Sequence, residues 1–127
     1  MPKKRKVRRV KYAPELVVQR ILASDLLLAV SQVLLSSDGP VQAGDVKRRL
    51  EGYGIDISTG YVSKLLQKLE KWGVARPFKS PMNGRLLWVA KPSRATELLV
   101  AELRKKEAQE VLEAMRIEHF THDFEEA

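Results

Sequence analysis

Cysteine does not occur anywhere in this 127-residue chain. That excludes disulfides, cysteine-ligated zinc or iron–sulfur centres and thiol catalysis, so stability must come from packing. Histidine is almost as scarce, and both copies, His119 and His122, fall in the closing stretch EHFTHDFEEA. With Glu118 and Asp123 they do not complete a tetrahedral ligand set, and nothing upstream supplies the missing donors. No Ser/His/Asp arrangement is credible with both histidines in a tail, and no glycine-rich loop cradles a phosphate. No catalytic residue, cofactor or metal is therefore expected, and the chain reads as a non-enzyme. Apolar runs long enough to cross a bilayer are also missing, and the basic start is not followed by the apolar stretch of a secretory signal. The expectation is a soluble protein with no membrane partner, in the cytoplasm or nucleoid, or in the nucleus if the source has one.

The 44% hydrophobic content is enough for one domain with a core, plus extensions. The formal net charge is +7, and its distribution is more informative than its size. Seven of the 23 basic residues stand within the first eleven positions: Lys3, Lys4, Arg5, Lys6, Arg8, Arg9 and Lys11. The other 116 residues carry sixteen basic and sixteen acidic groups. Within them, residues 44–91 have a basic surplus of six, whereas residues 92–127 are acidic. A basic arm, a basic middle and an acidic end suit a polyanionic partner for the first two parts.

Pro14 fits the first turn of a helix, and ELVVQRILASDLLLAVSQVLL continues it, with a break or new cap at Ser24-Asp25. Leu26, Leu27, Val30, Val33 and Leu34 recur at helical spacing and form an apolar face. Gly39-Pro40 ends this segment. A shorter helix runs through VQAGDVKRRLEG, with Val46 and Leu50 inward and Lys47, Arg48 and Arg49 outward. A third covers STGYVSKLLQKLEKWG, capped by Ser58 and stopped at Gly73. One side of it carries Val62, Leu65, Leu66, Leu69 and Trp72; the other carries Gly60, Ser63, Lys64, Gln67 and Lys71. Two apolar runs around Ser80-Pro81-Met82-Asn83-Gly84 predict a β-hairpin over about residues 74–90. Trp72, Trp88, Tyr53 and Phe78 have apolar neighbours and are expected in the core rather than as stacking platforms. Ser93 caps a last helix expected to reach about residue 117, with a frayed acidic tail over 118–127.

The order of three helices and a hairpin over about residues 22–91 resembles the winged-helix form of the helix-turn-helix superfamily. Gly39-Pro40-Val41 leading into Val46-Lys47-Arg48-Arg49-Leu50, then Ile57-Ser58-Thr59-Gly60-Tyr61-Val62, then Leu65-Leu66-Gln67-Lys68-Leu69-Glu70-Lys71-Trp72-Gly73-Val74 carry the likeness. It implies a mainly α fold with a small β-hairpin wing (α+β), double-stranded DNA as partner, the third helix in the major groove and the wing on phosphates or a minor groove. By position, Thr59, Gly60, Ser63, Lys64 and Gln67 are then candidate base or groove contacts. Glutamine can pair bidentately with adenine and lysine can donate to guanine. Lys47, Arg48, Arg49, Tyr61, Lys68, Lys71, Arg76, Lys79 and Arg85 are candidate phosphate contacts, the first three putting charge unusual for the family on the second helix. The connection Gly52–Ile57 is longer than the tightest helix-turn-helix turn.

With its long terminal helix the chain is similar to small winged-helix transcriptional regulators and chromatin-associated, architectural proteins of prokaryotes and archaea, which often dimerise through such a helix. Ala108, Val111, Leu112 and Met115 form a second apolar group on that helix and are the candidate homodimer contacts. The expected organisation is a disordered basic arm over 1–13, a winged-helix domain over 14–91, the terminal helix over 92–117 and the acidic tail. Two other readings stay open: a winged-helix module binding protein partners of the transcription, replication or ribosome machinery, and an RNA-binding protein. Lys3-Lys4-Arg5-Lys6 also matches a short nuclear-localisation pattern, but a basic arm beside a basic helix reads first as a DNA-binding arm.

Overall fold

The structure, a computed structural model, describes residues 12–126, with side chains described as far as Arg116. The arm residues Lys3, Lys4, Arg5, Lys6, Arg8, Arg9 and Lys11 therefore lie outside the described residues, and so do the side chains of the tail.

Pro14 starts the first helix, α1 (Pro14–Leu22), with Glu15 favourably placed in its first turn. The chain then breaks where the sequence suggests. Ser24 leaves helical geometry and its Oγ accepts a hydrogen bond from the Leu27 amide at 3.2 Å, which caps α2 (Asp25–Ser36). The two helices meet at 109°, and no single helix among the described residues is long and apolar enough to cross a membrane.

After the Gly39-Pro40 stop, α3 (Ala43–Gly52) is opened by a reciprocal box in which the Gln42 amide donates to Asp45 Oδ2 at 3.0 Å. A six-residue connection through Gly54, whose φ of +84° only glycine adopts cheaply, leads to α4 (Thr59–Lys71). Gly73 (φ +83°) turns the chain out of α4, with the Val74 amide returning to the Leu69 carbonyl at 2.9 Å. Strands β1 (Ala75–Lys79) and β2 (Leu86–Ala90) pair antiparallel, with Pro77 opposite Trp88. Val41 adds a one-residue bridge on the far side of β2, exchanging two backbone hydrogen bonds with Trp88 at 3.0 and 2.7 Å. This bridge ties the hairpin to the start of α3.

The core is the set of apolar stripes that periodicity predicts. Val30, Val33 and Leu34 of α2, Val46 and Leu50 of α3, and Val62, Leu66 and Leu69 of α4 are buried together with Trp88. Each fully buried side chain of this size contributes roughly 1.5–3 kcal/mol from leaving water. Val17, Val18 and Ile21 of α1 are buried in the same cluster with Ala95 and Leu99 of the last helix, α5 (Arg94–Glu126). Two expectations are corrected. Helix α5 does not stop near residue 117 but runs to Glu126, because no glycine or proline follows Pro92 and pairs such as Arg116–Glu113 and Lys105–Glu102 brace its surface. Tyr53 is not in the core: it is 69% exposed, since the turn after α3 points it outward.

Candidate nucleic-acid interface

Helix α4 is amphipathic, and its burial fixes which side faces out. Val62, Leu65, Leu66 and Leu69 hold it against the domain, which leaves Thr59, Gly60, Lys64, Gln67 and Lys71 exposed and Ser63 half-buried. Gly60, Lys64, Gln67 and Lys71 are spaced by four, three and four, so they line one stripe along the helix. Ser58 caps the helix by accepting the Tyr61 amide at 3.1 Å, and Tyr61 is exposed in that first turn.

The basic residues fall into two groups. Those of α3 are engaged within the chain. Lys47 Nζ lies 2.5 Å from Glu51 and 3.8 Å from Asp56, and its pKa is raised from the usual value of 10.5, chiefly by the hydrogen bond to Glu51. Arg48 pairs with Asp45, and Arg49 donates to Ser37 Oγ at 3.1 Å and Ser36 Oγ at 2.9 Å. The Lys47–Glu51 and Arg48–Asp45 pairs follow from i,i+4 and i,i+3 spacing and were legible in the sequence; the Lys47–Asp56 pair, nine positions apart, and the Arg49 contacts, twelve and thirteen positions away, were not.

The second group is Lys64, Lys68 and Lys71 of α4 with Arg76, Lys79 and Arg85 of the hairpin. Among the described residues none of these six makes an ion pair within 4 Å. Lys68 lies 5.8 Å from the Trp72 ring centre and Arg76 5.8 Å from that of Phe78, positions that keep their stems on apolar surface. Between Glu70 and Glu97 the sequence contains no acidic residue, so the whole hairpin is free of negative side chains. A groove of about 540 Å³ separates α4 from the hairpin, with Gln67, Lys71, Leu86 and Trp88 in its wall. Helix face, groove and hairpin adjoin one another, with Glu70 the one acidic residue in the groove wall.

Tyr12, where the described chain begins, packs edge-on to Trp72 with ring centres 6.0 Å apart, and the Arg20 guanidinium lies over the Tyr12 ring at 5.3 Å. The root of the basic arm is thereby fixed at the C-terminal end of α4.

A second surface was not legible in the sequence. A half-open groove of about 770 Å³ lies between α2, the α3–α4 turn and α5, walled by Ala29, Leu35, Tyr53, Ile55, Val100 and Leu103. Farther along α5, Ala108, Val111, Leu112 and Met115 are all exposed, the last three between 57% and 58%. Among the described residues no group of three acidic, His or Cys side chains is arranged to hold a metal.

No family model matches the sequence, and no curated protein does either. Solved structures do. The multiple antibiotic resistance repressor MarR is similar at 14% identity with a TM-score of 0.53, over 80% of this chain and 70% of MarR. A double mutant of Lactococcus lactis ZitR in its apo form matches at 14% identity and a TM-score of 0.50, over 80% and 74% of the two chains. A single mutant of the same ZitR matches at 18% identity and 0.49, and there the chain spans only 56% of the ZitR chain. At these identities the likeness is one of fold: the chain has a winged helix-turn-helix fold with a long C-terminal helix.

Proposed function

We propose that the chain binds double-stranded DNA as a transcriptional regulator or architectural protein, with α4 in the major groove. The observation that carries this reading is the stripe Gly60, Lys64, Gln67 and Lys71, which is exposed and adjoins a hairpin free of acidic residues. A helix of 13 residues is about 20 Å long and about 10–12 Å across with its side chains, which suits a groove about 12 Å wide. Thr59, Ser63, Lys64 and Gln67 contact base edges, Gly60 lets the backbone approach, and Tyr61, Lys68, Lys71, Arg76, Lys79 and Arg85 hold phosphates. Lys47, Arg48 and Arg49 are held by neighbours and contribute less. The arm, rooted beside Trp72, adds phosphate or minor-groove contacts. That MarR is named a repressor supports the regulatory form of this reading.

The active species in this proposal is a homodimer. Helix α5 spans about 50 Å and outruns the domain, and its apolar stripe and the groove beside its first half need covering. Antiparallel packing of two α5 helices lays each stripe over the other chain's groove. It also sets the basic run Arg104-Lys105-Lys106 of one chain against Glu107, Glu110 and Glu113 of the other.

The deciding experiment is a salt titration of binding to random duplex, single strand and structured RNA, using the whole chain, K64A/Q67A and a chain without residues 1–11. Duplex preference that weakens in K64A/Q67A is the expected result. If that variant binds duplex as well as the parent while removal of residues 1–11 abolishes binding, α4 is not the reading element. Preference for RNA, or no nucleic-acid binding at all, favours the RNA-binding or protein-module reading instead.

A further inference from the structure

The hairpin tip carries a side chain that phosphate binding does not explain. Met82 is 92% exposed, more than any other large apolar residue of the described chain, and it lies within the loop joining β1 to β2. The loop is not slack. The Ser80 amide donates to the Arg85 carbonyl and the Gly84 amide to the Ser80 carbonyl, both at 2.8 Å. The Met82 amide donates to Ser80 Oγ at 3.2 Å and the Arg85 amide to Asn83 Oδ1 at 3.0 Å. Pro81 fixes its own φ, and Gly84 takes the single positive φ, +71°, that closes the turn. Four hydrogen bonds and a proline thus hold an apolar side chain away from every part of its own domain. Lys79, the last residue of β1, and Arg85, immediately before β2, flank it in the sequence.

We infer that this tip is a wedge: Met82 enters the minor groove next to the major groove occupied by α4, partly unstacks one base step and so bends the duplex. The inference rests on the DNA-binding reading above and adds a deforming activity to it. A tip that only touched phosphates would gain nothing from a methionine at its apex. A thioether chain is narrow, unbranched and polarisable, so it can slide between bases in a groove about 6 Å wide, and Met is among the side chains suited to this role. Lys79 and Arg85 meet the phosphates that border that groove, which steers the apolar apex into the gap between them. The hairpin is braced for this by the Val41–Trp88 bridge behind it, so the load of bending falls on the core rather than on a free loop.

The test is ligase-driven circle formation from a duplex of about 100 base pairs, shorter than the persistence length of about 150, which closes poorly unless bent. The intact protein, M82S and M82L are compared at equal duplex occupancy, set by a parallel binding titration. The intact protein is expected to raise circle yield on the order of tenfold, M82L to keep most of that rise, and M82S to lose it. A duplex carrying 2-aminopurine is expected to brighten on binding the intact protein and not on binding M82S, since unstacking relieves its quenching. Duplex binding without circles, or circles and brightening that persist in M82S, overturns the wedge while leaving the DNA-binding reading intact. Absence of duplex binding by the intact protein overturns both.

Discussion

Ser93 Oγ donates a 2.6 Å hydrogen bond to the carbonyl of Gly73, twenty residues earlier, while accepting the Thr96 amide at 3.2 Å as the cap of α5. One hydroxyl therefore closes the C-terminal end of α4 and opens α5. Thr96 reinforces the joint by donating to the Lys91 carbonyl at 2.7 Å. The C-terminal end of α4 and the start of α5 are thereby joined through one side chain.

Removing this joint is expected to cost stability. Ser93→Ala loses a cap and leaves the Gly73 carbonyl only the long 3.5 Å contact from Thr96 Oγ1, for about 1–2 kcal/mol. Gly73→Ala forces a side chain into φ +83°, at about 1–2 kcal/mol. Urea unfolding followed by circular dichroism measures both; unchanged midpoints would show that the joint is ornamental.

Ser31 offers the opposite case. Its hydroxyl is fully buried in α2 and has no hydrogen-bond partner among the described residues. Ser31→Ala removes that uncompensated polar group and should stabilise the fold by about 1 kcal/mol, a rise in Tm of about 4 °C for a domain of this size. A fall in Tm contradicts the assignment of an unpaired hydroxyl.

The two groups of basic residues predict different salt dependence. Loss of one phosphate contact lowers the slope of log affinity against log salt by about 0.9. Lys68→Ala and Lys71→Ala should each show this, whereas Arg48→Ala should leave the slope nearly unchanged, because Arg48 is occupied by Asp45. Equal effects of Arg48→Ala and Lys68→Ala would mean that duplex DNA breaks the α3 ion pairs.

The α5 stripe predicts an assembly defect without unfolding. Val111→Glu with Met115→Glu places charges on side chains that are 57% exposed in one chain, so helicity should hold while sedimentation reports a monomer. Duplex affinity should then fall by about 100-fold or more as the second binding site is lost. The absence of cysteine makes the geometry testable: Leu103→Cys mixed with Leu112→Cys should cross-link between chains on oxidation, and neither variant should cross-link with itself. A dimer that resists the mixed cross-link has another interface.

Local chemistry made much of this fold readable. Apolar spacing of three and four marked α2, α3 and α4; Ser24, Ser58 and Ser93 announced their caps; Gly73 and the Ser80–Gly84 turn punctuated the hairpin. Within that turn Gly84 alone takes a positive φ, and Asn83 contributes through its side chain, whose Oδ1 accepts the Arg85 amide. The exposed stripe of α4 was also legible, because helical periodicity assigns both faces at once.

What periodicity cannot assign is a contact between residues far apart in the chain. Whether Arg49 faces solvent or two serines of α2, whether Tyr53 is buried, and whether α5 and α2 leave a groove between them all depend on how finished helices pack. The apex at Met82 belongs to the same class: its composition was in view from the start, but its isolation from the rest of the domain is a property of the closed turn and the braced hairpin. Secondary structure, charge segregation and the two-sided α4 follow from spacings of a few residues, which the chain carries with it. The engagement of Arg49 by the serines of α2, and the surfaces left uncovered, were decided only when the helices met.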